Sequence, residues 1–150
     1  MFQKILYPTD FSEMAGKALD YIKQLKAAGS RNVVILHVIN QRILDGLMRH
    51  AVRNSDIDKW RKKAEDNAQE SLAEIGRDLE AAGFAVKQIV RTGYPSREIL
   101  DVGKEENPSL IVVGSHGRSN LGDMLLGSVS DRVIRKCRRP VMVIKRDSQP

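Results

Sequence analysis

Glycine and serine crowd one stretch of the chain. It reads Gly114-Ser115-His116-Gly117-Arg118-Ser119-Asn120-Leu121-Gly122-Asp123-Met124-Leu125-Leu126-Gly127-Ser128-Val129-Ser130 and leads into a segment of helical period. Glycines let backbone N–H groups come close to a ligand and tolerate positive φ. A helix start adds unpaired N–H donors and a partial positive charge. Together these bind anions, most often phosphate. Ser128 and Ser130 contribute hydroxyls, and Arg118 a fixed charge suited to phosphate oxygens. A second candidate lies near the start, where Pro8-Thr9-Asp10 follows an apolar run. The Asp10 carboxylate suits a ribose hydroxyl or an adenine amine; to face phosphates it needs an intervening metal.

Two familiar phosphate motifs fit poorly. Gly122-x4-Gly127-Ser128 nearly spells a P-loop, but serine stands where its lysine belongs. A dinucleotide fingerprint would follow the first strand, where this chain has no glycine. Single residues also have simpler readings. Ser128 suits an N-cap, and Asp10 could cap the first helix. His116 has no readable acid partner or nucleophile nearby, so a loop-structuring role is expected. His37 reads as a hydrogen-bonded core histidine, Cys137 as an inert core thiol, and Trp60 as a packing residue.

Short apolar runs alternate with helical periods along the whole length. Ile5–Tyr7 is the first expected strand. Phe11–Gly29 is an amphipathic helix with Ala15, Ala18, Leu19, Ile22 and Leu25 on one face. Val33–Ile39 suits a strand covered on both faces. Gln41–Asp56 has no clean period. Ile57, Trp60, Ala64, Ala68, Leu72, Ile75, Leu79 and Ala82 then mark a long helix that Gly83 stops. Phe84–Arg91 is a strand, Pro95 opens a helix, and Pro108 closes it. Leu110–Val113 is the fourth strand. Ser128–Cys137 is a helix with Val129, Val133, Ile134 and Cys137 inward, and Val141–Ile144 is the fifth strand.

Strands separated by helices run parallel with right-handed crossovers. The expectation is a single α/β domain over residues 1–150: a five-stranded, doubly wound parallel sheet in the order 3-2-1-4-5, with helices on both faces. Ligands bind such sheets where the strand order reverses, beyond the carboxyl ends of strands one and four. Both candidate segments follow those two strands.

Composition narrows the partners. The chain has 150 residues, 29% of them charged, and a net charge of +6. No apolar run approaches the roughly 18 residues of a membrane helix. The N-terminus shows no signal-peptide pattern, and one cysteine rules out an internal disulfide. A cytoplasmic protein is expected. Basic residues cluster in Gln41–Lys63 and Asp131–Asp147. Aromatics make up 5% and do not interleave with these clusters, which argues against a stacking platform for nucleic acid.

Gly114-x2-Gly117-x9-Gly127-Ser128 resembles the signature of the ATP-binding branch of the universal stress protein family. So do Ile5-Leu6-Tyr7-Pro8-Thr9-Asp10-Phe11-Ser12, Leu36-His37-Val38, Ile111-Val112-Val113 and Pro140-Val141-Met142-Val143-Ile144. Pro108-Ser109 departs from the Ala-Asp often found there. The resemblance implies a Rossmann-like fold. It places Pro8, Thr9 and Asp10 at the nucleoside and the Val38 backbone at adenine. It places Gly114 and Gly117 beside ribose and phosphate, with Arg118 following them. Gly127, Ser128, Val129 and Ser130 match the turn that cradles the phosphates. It also implies a homodimer through antiparallel pairing of Val141–Ile144, an apolar edge that otherwise invites aggregation.

The expected function is a stress-response module binding ATP, ADP or AMP, with Mg²⁺ on the phosphates and slow or no hydrolysis. Efficient phosphoryl transfer needs a clamp and carboxylates on metal; Arg118 and Asp10 are the only evident candidates. The alternatives are a partner-activated ATPase and a dimerisation module with a vestigial site.

Overall fold

The first strand, β1 (Lys4–Pro8), alternates its apolar side chains between two layers. Ile5 and Tyr7 join one core cluster and Leu6 the other. The computed structural model describes residues 1–50, 53–116 and 126–145. After β1 come α1 (Glu13–Gln24), a short 3₁₀ turn (Leu25–Ala28), β2 (Asn32–Asn40), α2 (Gln41–Arg49) and α3 (Asn54–Ala81). Then follow β3 (Ala85–Gly93), α4 (Pro95–Glu106), β4 (Leu110–Gly114), α5 (Ser128–Lys136) and β5 (Val141–Ile144).

All pairings are parallel and the strand order is β3-β2-β1-β4-β5, as expected from the alternation of elements. β2 and β4 are continuous apolar runs because both their faces are covered. On one face Met14, Ala18 and Ile22 of α1 and Leu72 and Leu79 of α3 pack against Val33, Ile35 and Val112. On the other, Ile99 and Val102 of α4 and Val133 of α5 pack against Val34, Leu36, Ile111 and Val113. Burying a side chain of this size contributes about 1.5–3 kcal/mol.

Three sequence expectations need correction. The segment without a clean period contains α2: the Asn40 side chain accepts from the Arg42 N–H and starts it, and Leu44 is buried. One buried residue is too few to leave a periodic pattern. The first helix ends at Gln24, and the turn beyond it closes on Gly29 at φ 99°. On α5, Val129 and Ile134 are exposed and Cys137 lies past the helix end, half-buried. The inward stripe there is Ser130 and Val133. A serine takes a core position because its hydroxyl donates to the Gly114 carbonyl, which offsets the cost of burying it.

Candidate functional site

The carboxyl end of β1 turns sharply into α1. The Thr9 N–H donates to the Leu36 carbonyl at 2.8 Å, carrying β1–β2 contact one residue past the strand. Thr9 Oγ1 accepts from the Phe11 N–H at 3.1 Å, and Asp10 Oδ1 from the Ser12 N–H at 2.9 Å. Ser12 caps α1 by accepting from the Ala15 N–H. Asp10 therefore holds the turn before the helix and does not cap it. Between them Phe11 sits at φ 62°, a left-handed conformation that strains a bulky residue. Its ring stacks on His37 with centroids 4.4 Å apart. His37 Nδ1 donates to the Thr9 carbonyl at 2.8 Å; because a carbonyl only accepts, that nitrogen carries the proton. The hydrogen-bonded histidine expected from the sequence is found, half-buried.

Below the turn, Tyr7 donates its hydroxyl to the Ala15 carbonyl. Burial is the main cause that pushes its phenol up to about 12. It is a structural strut, neutral at any physiological pH.

After β4 the chain is tied at its base. The Ser115 N–H donates to the Ile144 carbonyl at 2.8 Å, and the Gly127 N–H to the Ser115 carbonyl at 2.6 Å. Ser130 Oγ reaches the Gly114 carbonyl at 2.5 Å. His116 is buried, with its Nδ1 2.9 Å from Ser115 Oγ, inside this network. The N-cap of α5 is Gly127, with no side-chain acceptor; Ser128 is the first helical residue and exposed. Ser128 is thus not the cap. The helix start keeps its anion-binding character because its cap residue offers no side chain to satisfy it.

These elements surround one cleft of about 1020 Å³. Pro8, Thr9, Asp10, Val38, Gly114, Gly127, Ser128, Val129 and Ser130 all line it. Gly117 and Arg118 lie outside the described residues. The Ser130 hydroxyl is committed to Gly114, so its backbone N–H is the donor left to a ligand. Among the described residues no three His, Cys, Asp or Glu side chains gather as a metal site. Mg²⁺ on a nucleotide is held through phosphates, water and one or two carboxylates; Asp10 fits that need.

Sequence reasoning missed part of the lining. Arg42 and Ile43 of α2, Trp60 and Ala64 of α3, Tyr94–Arg97 at the start of α4, and Arg132 of α5 also face the cleft. One signal was available: every strand-to-helix turn of a parallel sheet lies at the same end, so Pro95 marks another helix start beside the site. Tyr94 donates its hydroxyl to Asp45 Oδ2 at 2.8 Å, joining α2 to this rim. That bond raises the Tyr94 phenol above its ordinary value. The Gln41 amide and then Tyr94 lower the Asp45 carboxyl.

Residues 1–145 match the universal stress protein family. This chain belongs to that family. Universal stress protein MJ0577 of Methanocaldococcus jannaschii is 39% identical, over 97% of this chain and 96% of its own length. A solved structure of MJ0577 superposes with a TM-score of 0.90 at 38% identity, covering 99% of each chain. Two more distant structures share the fold. A universal stress protein in complex with cAMP is 23% identical (TM-score 0.64; 96% and 97% of the two chains). An Arabidopsis thaliana family protein with AMP bound is 19% identical (TM-score 0.69; 97% and 93%). The fold described above is thus that of a universal stress protein.

Proposed function

We propose that this universal stress protein is a single-domain cytoplasmic regulatory module that binds ATP, ADP or AMP. The observation that carries the reading is convergence. Nine residues from four separate segments, the ends of β1, β2 and β4 and the start of α5, line one cleft. Glycine-bounded amides at α5 suit a phosphate chain, and Asp10 suits a ribose hydroxyl. The structures with cAMP and AMP show that this fold accepts adenosine nucleotides in other proteins.

Hydrolysis is slow or absent in this reading. Asp10 and Asp131 are the carboxylates of the described lining, and Asp131 accepts from Arg135 at 3.0 Å. No lysine is among the described lining residues. The described lining thus offers two carboxylates and no lysine, fewer groups than efficient phosphoryl transfer usually employs. Mg²⁺ accompanies the phosphates.

The active unit is a homodimer. β5 is an edge strand in which Val141, Met142 and Val143 are only partly buried. Antiparallel pairing with a second copy removes that edge. Sedimentation should give twice the chain's 16.8 kDa at micromolar concentration.

Isothermal titration with ATP, ADP, AMP and GTP, with and without Mg²⁺, tests the core of the reading. Saturable binding of the adenine nucleotides, weakened in Asp10→Ala, is expected. Absence of heat with folded protein at millimolar nucleotide would overturn it. Phosphate release at many turnovers per second would overturn the binder reading in favour of an ATPase.

A further inference from the structure

A second helix begins at the same cleft. Tyr94, Pro95, Ser96 and Arg97 all line the cavity, and α4 runs for 12 residues from Pro95. Tyr94 occupies the cap position with no side-chain hydrogen bond to the helix. Proline at the first helical position has no N–H to satisfy. The Ser96 and Arg97 amides therefore open a helix start with no side-chain acceptor, at its positive end.

A helix start alone is not a site, but Ser96 adds an independent observation. The residue is only 7% exposed, and its hydroxyl has no hydrogen-bond partner among the described residues. No fully enclosed described side-chain polar atom lacks a partner, so the Ser96 hydroxyl opens onto the cleft. A hydroxyl so placed gains from a ligand atom that bonds it. Beside it, the Arg97 guanidinium lies over the Tyr94 ring, 5.9 Å from its centre, in no ion pair among the described residues. Glu98, the acid in the first turn of α4, pairs with Arg91 at 3.8 Å, and Asp45 accepts from the Tyr94 hydroxyl; neither lines the cavity.

The geometry also separates this point from the first. α4 and α5 pack side by side on one face of the sheet. Packed helix axes lie about 8–10 Å apart. The cleft thus offers two helix starts about one helix diameter apart. Its volume of about 1020 Å³ is at the top of the roughly 300–1,000 Å³ usual for small-ligand sites.

We propose that the start of α4 is a second phosphate subsite, in which the Ser96 hydroxyl and the Arg97 guanidinium bind an oxyanion. The cleft then accepts phosphoryl groups at two places. They arrive on one molecule, a dinucleoside polyphosphate, or as a mononucleotide with a free phosphate beside it. The inference rests on nucleotide binding at α5, but its test is separable.

Isothermal titration of the full chain decides it. Diadenosine tetraphosphate and ATP are titrated into the unliganded protein. Pyrophosphate is titrated into the protein with and without saturating ATP. The same series is run on Ser96→Ala and Arg97→Ala, with circular dichroism confirming the fold. The expected result is that the tetraphosphate binds at least tenfold tighter than ATP, or that pyrophosphate binds the ATP-loaded protein. The first outcome identifies a dinucleotide and the second a free anion. Either gain should fall about tenfold in each variant, by a larger factor than any change in ATP affinity. The proposal is overturned if neither probe gains over ATP. It is also overturned if both variants lose ATP and probe affinity equally, which would make Ser96 and Arg97 part of the first site. If ATP does not bind at all, the nucleotide reading falls. Pyrophosphate binding to the unliganded protein, lost or kept in the variants, then still decides the subsite.

Discussion

Ser130 Oγ donates to the Gly114 carbonyl at 2.5 Å, joining two residues 16 positions apart in the chain. This bond pins the start of α5 to the end of β4, and with the Gly127–Ser115 backbone bond it sets the mouth of the candidate phosphate site. Ser130→Ala removes the donor from a buried position. A loss of about 1 kcal/mol is expected. For a chain this long that lowers Tm by roughly 2–4 °C. Calorimetric melting checks it, and nucleotide affinity should fall with the loosened helix start.

Asp10 has two jobs that substitutions can separate. Oδ1 holds the turn through the Ser12 N–H, a task an asparagine oxygen also performs. Asp10→Asn should therefore melt close to wild type yet bind ATP about 10- to 100-fold more weakly, the range for a lost charged hydrogen bond. Asp10→Ala should lose stability as well. Titration calorimetry alongside thermal melting separates the two effects.

Gly114 leaves little space for a side chain. A Cβ built there would lie 3.3 Å from Met14 Cβ and 3.5 Å from the His116 carbonyl oxygen. Gly114→Ala must push β4 and α1 apart slightly, a strain of about 1–3 kcal/mol. Urea unfolding should show that loss, with an unchanged m-value if the fold is retained.

Glu106 gives the protein an acid limit. It accepts from Lys87 and from Lys4, the latter at 3.0 Å, tying the end of α4 to β3 and β1. The Lys87 bond, then the Lys4 bond, lowers its carboxyl below the ordinary value. A lowered carboxyl favours the folded state whenever it is ionised. That contribution is complete above the ordinary glutamate range and is lost as pH falls through the lowered value. Glu106→Gln should cost about 1 kcal/mol or less at pH 7 and progressively less as acid protonates the carboxyl of the parent protein. Denaturant midpoints of both proteins at falling pH give the comparison.

Much of the architecture was legible in local pattern. Continuous apolar runs at Val33–Ile39 and Leu110–Val113 marked strands covered on both faces, and the alternation with helices implied the order β3-β2-β1-β4-β5. The glycine-serine segment and Asp10 could be assigned to one end of the sheet because parallel strands all finish there. Spacing said less where few residues touch the core. α2 buries only Leu44, and α5 turns Ser130 inward while Val129 and Ile134 face out.

By itself the sequence determined most of the elements, the strand order and the end of the sheet that carries the candidate site, because hydrophobic period and glycine placement act over a few residues. Only the tertiary structure decided that Tyr94, Ser96, Arg97, Trp60 and Arg132 share a wall with Asp10 and Gly127. It alone showed that the Ser130 hydroxyl is spent on Gly114. Such relations depend on how two helices seat on one sheet face, and packing between distant segments leaves no period in either of them.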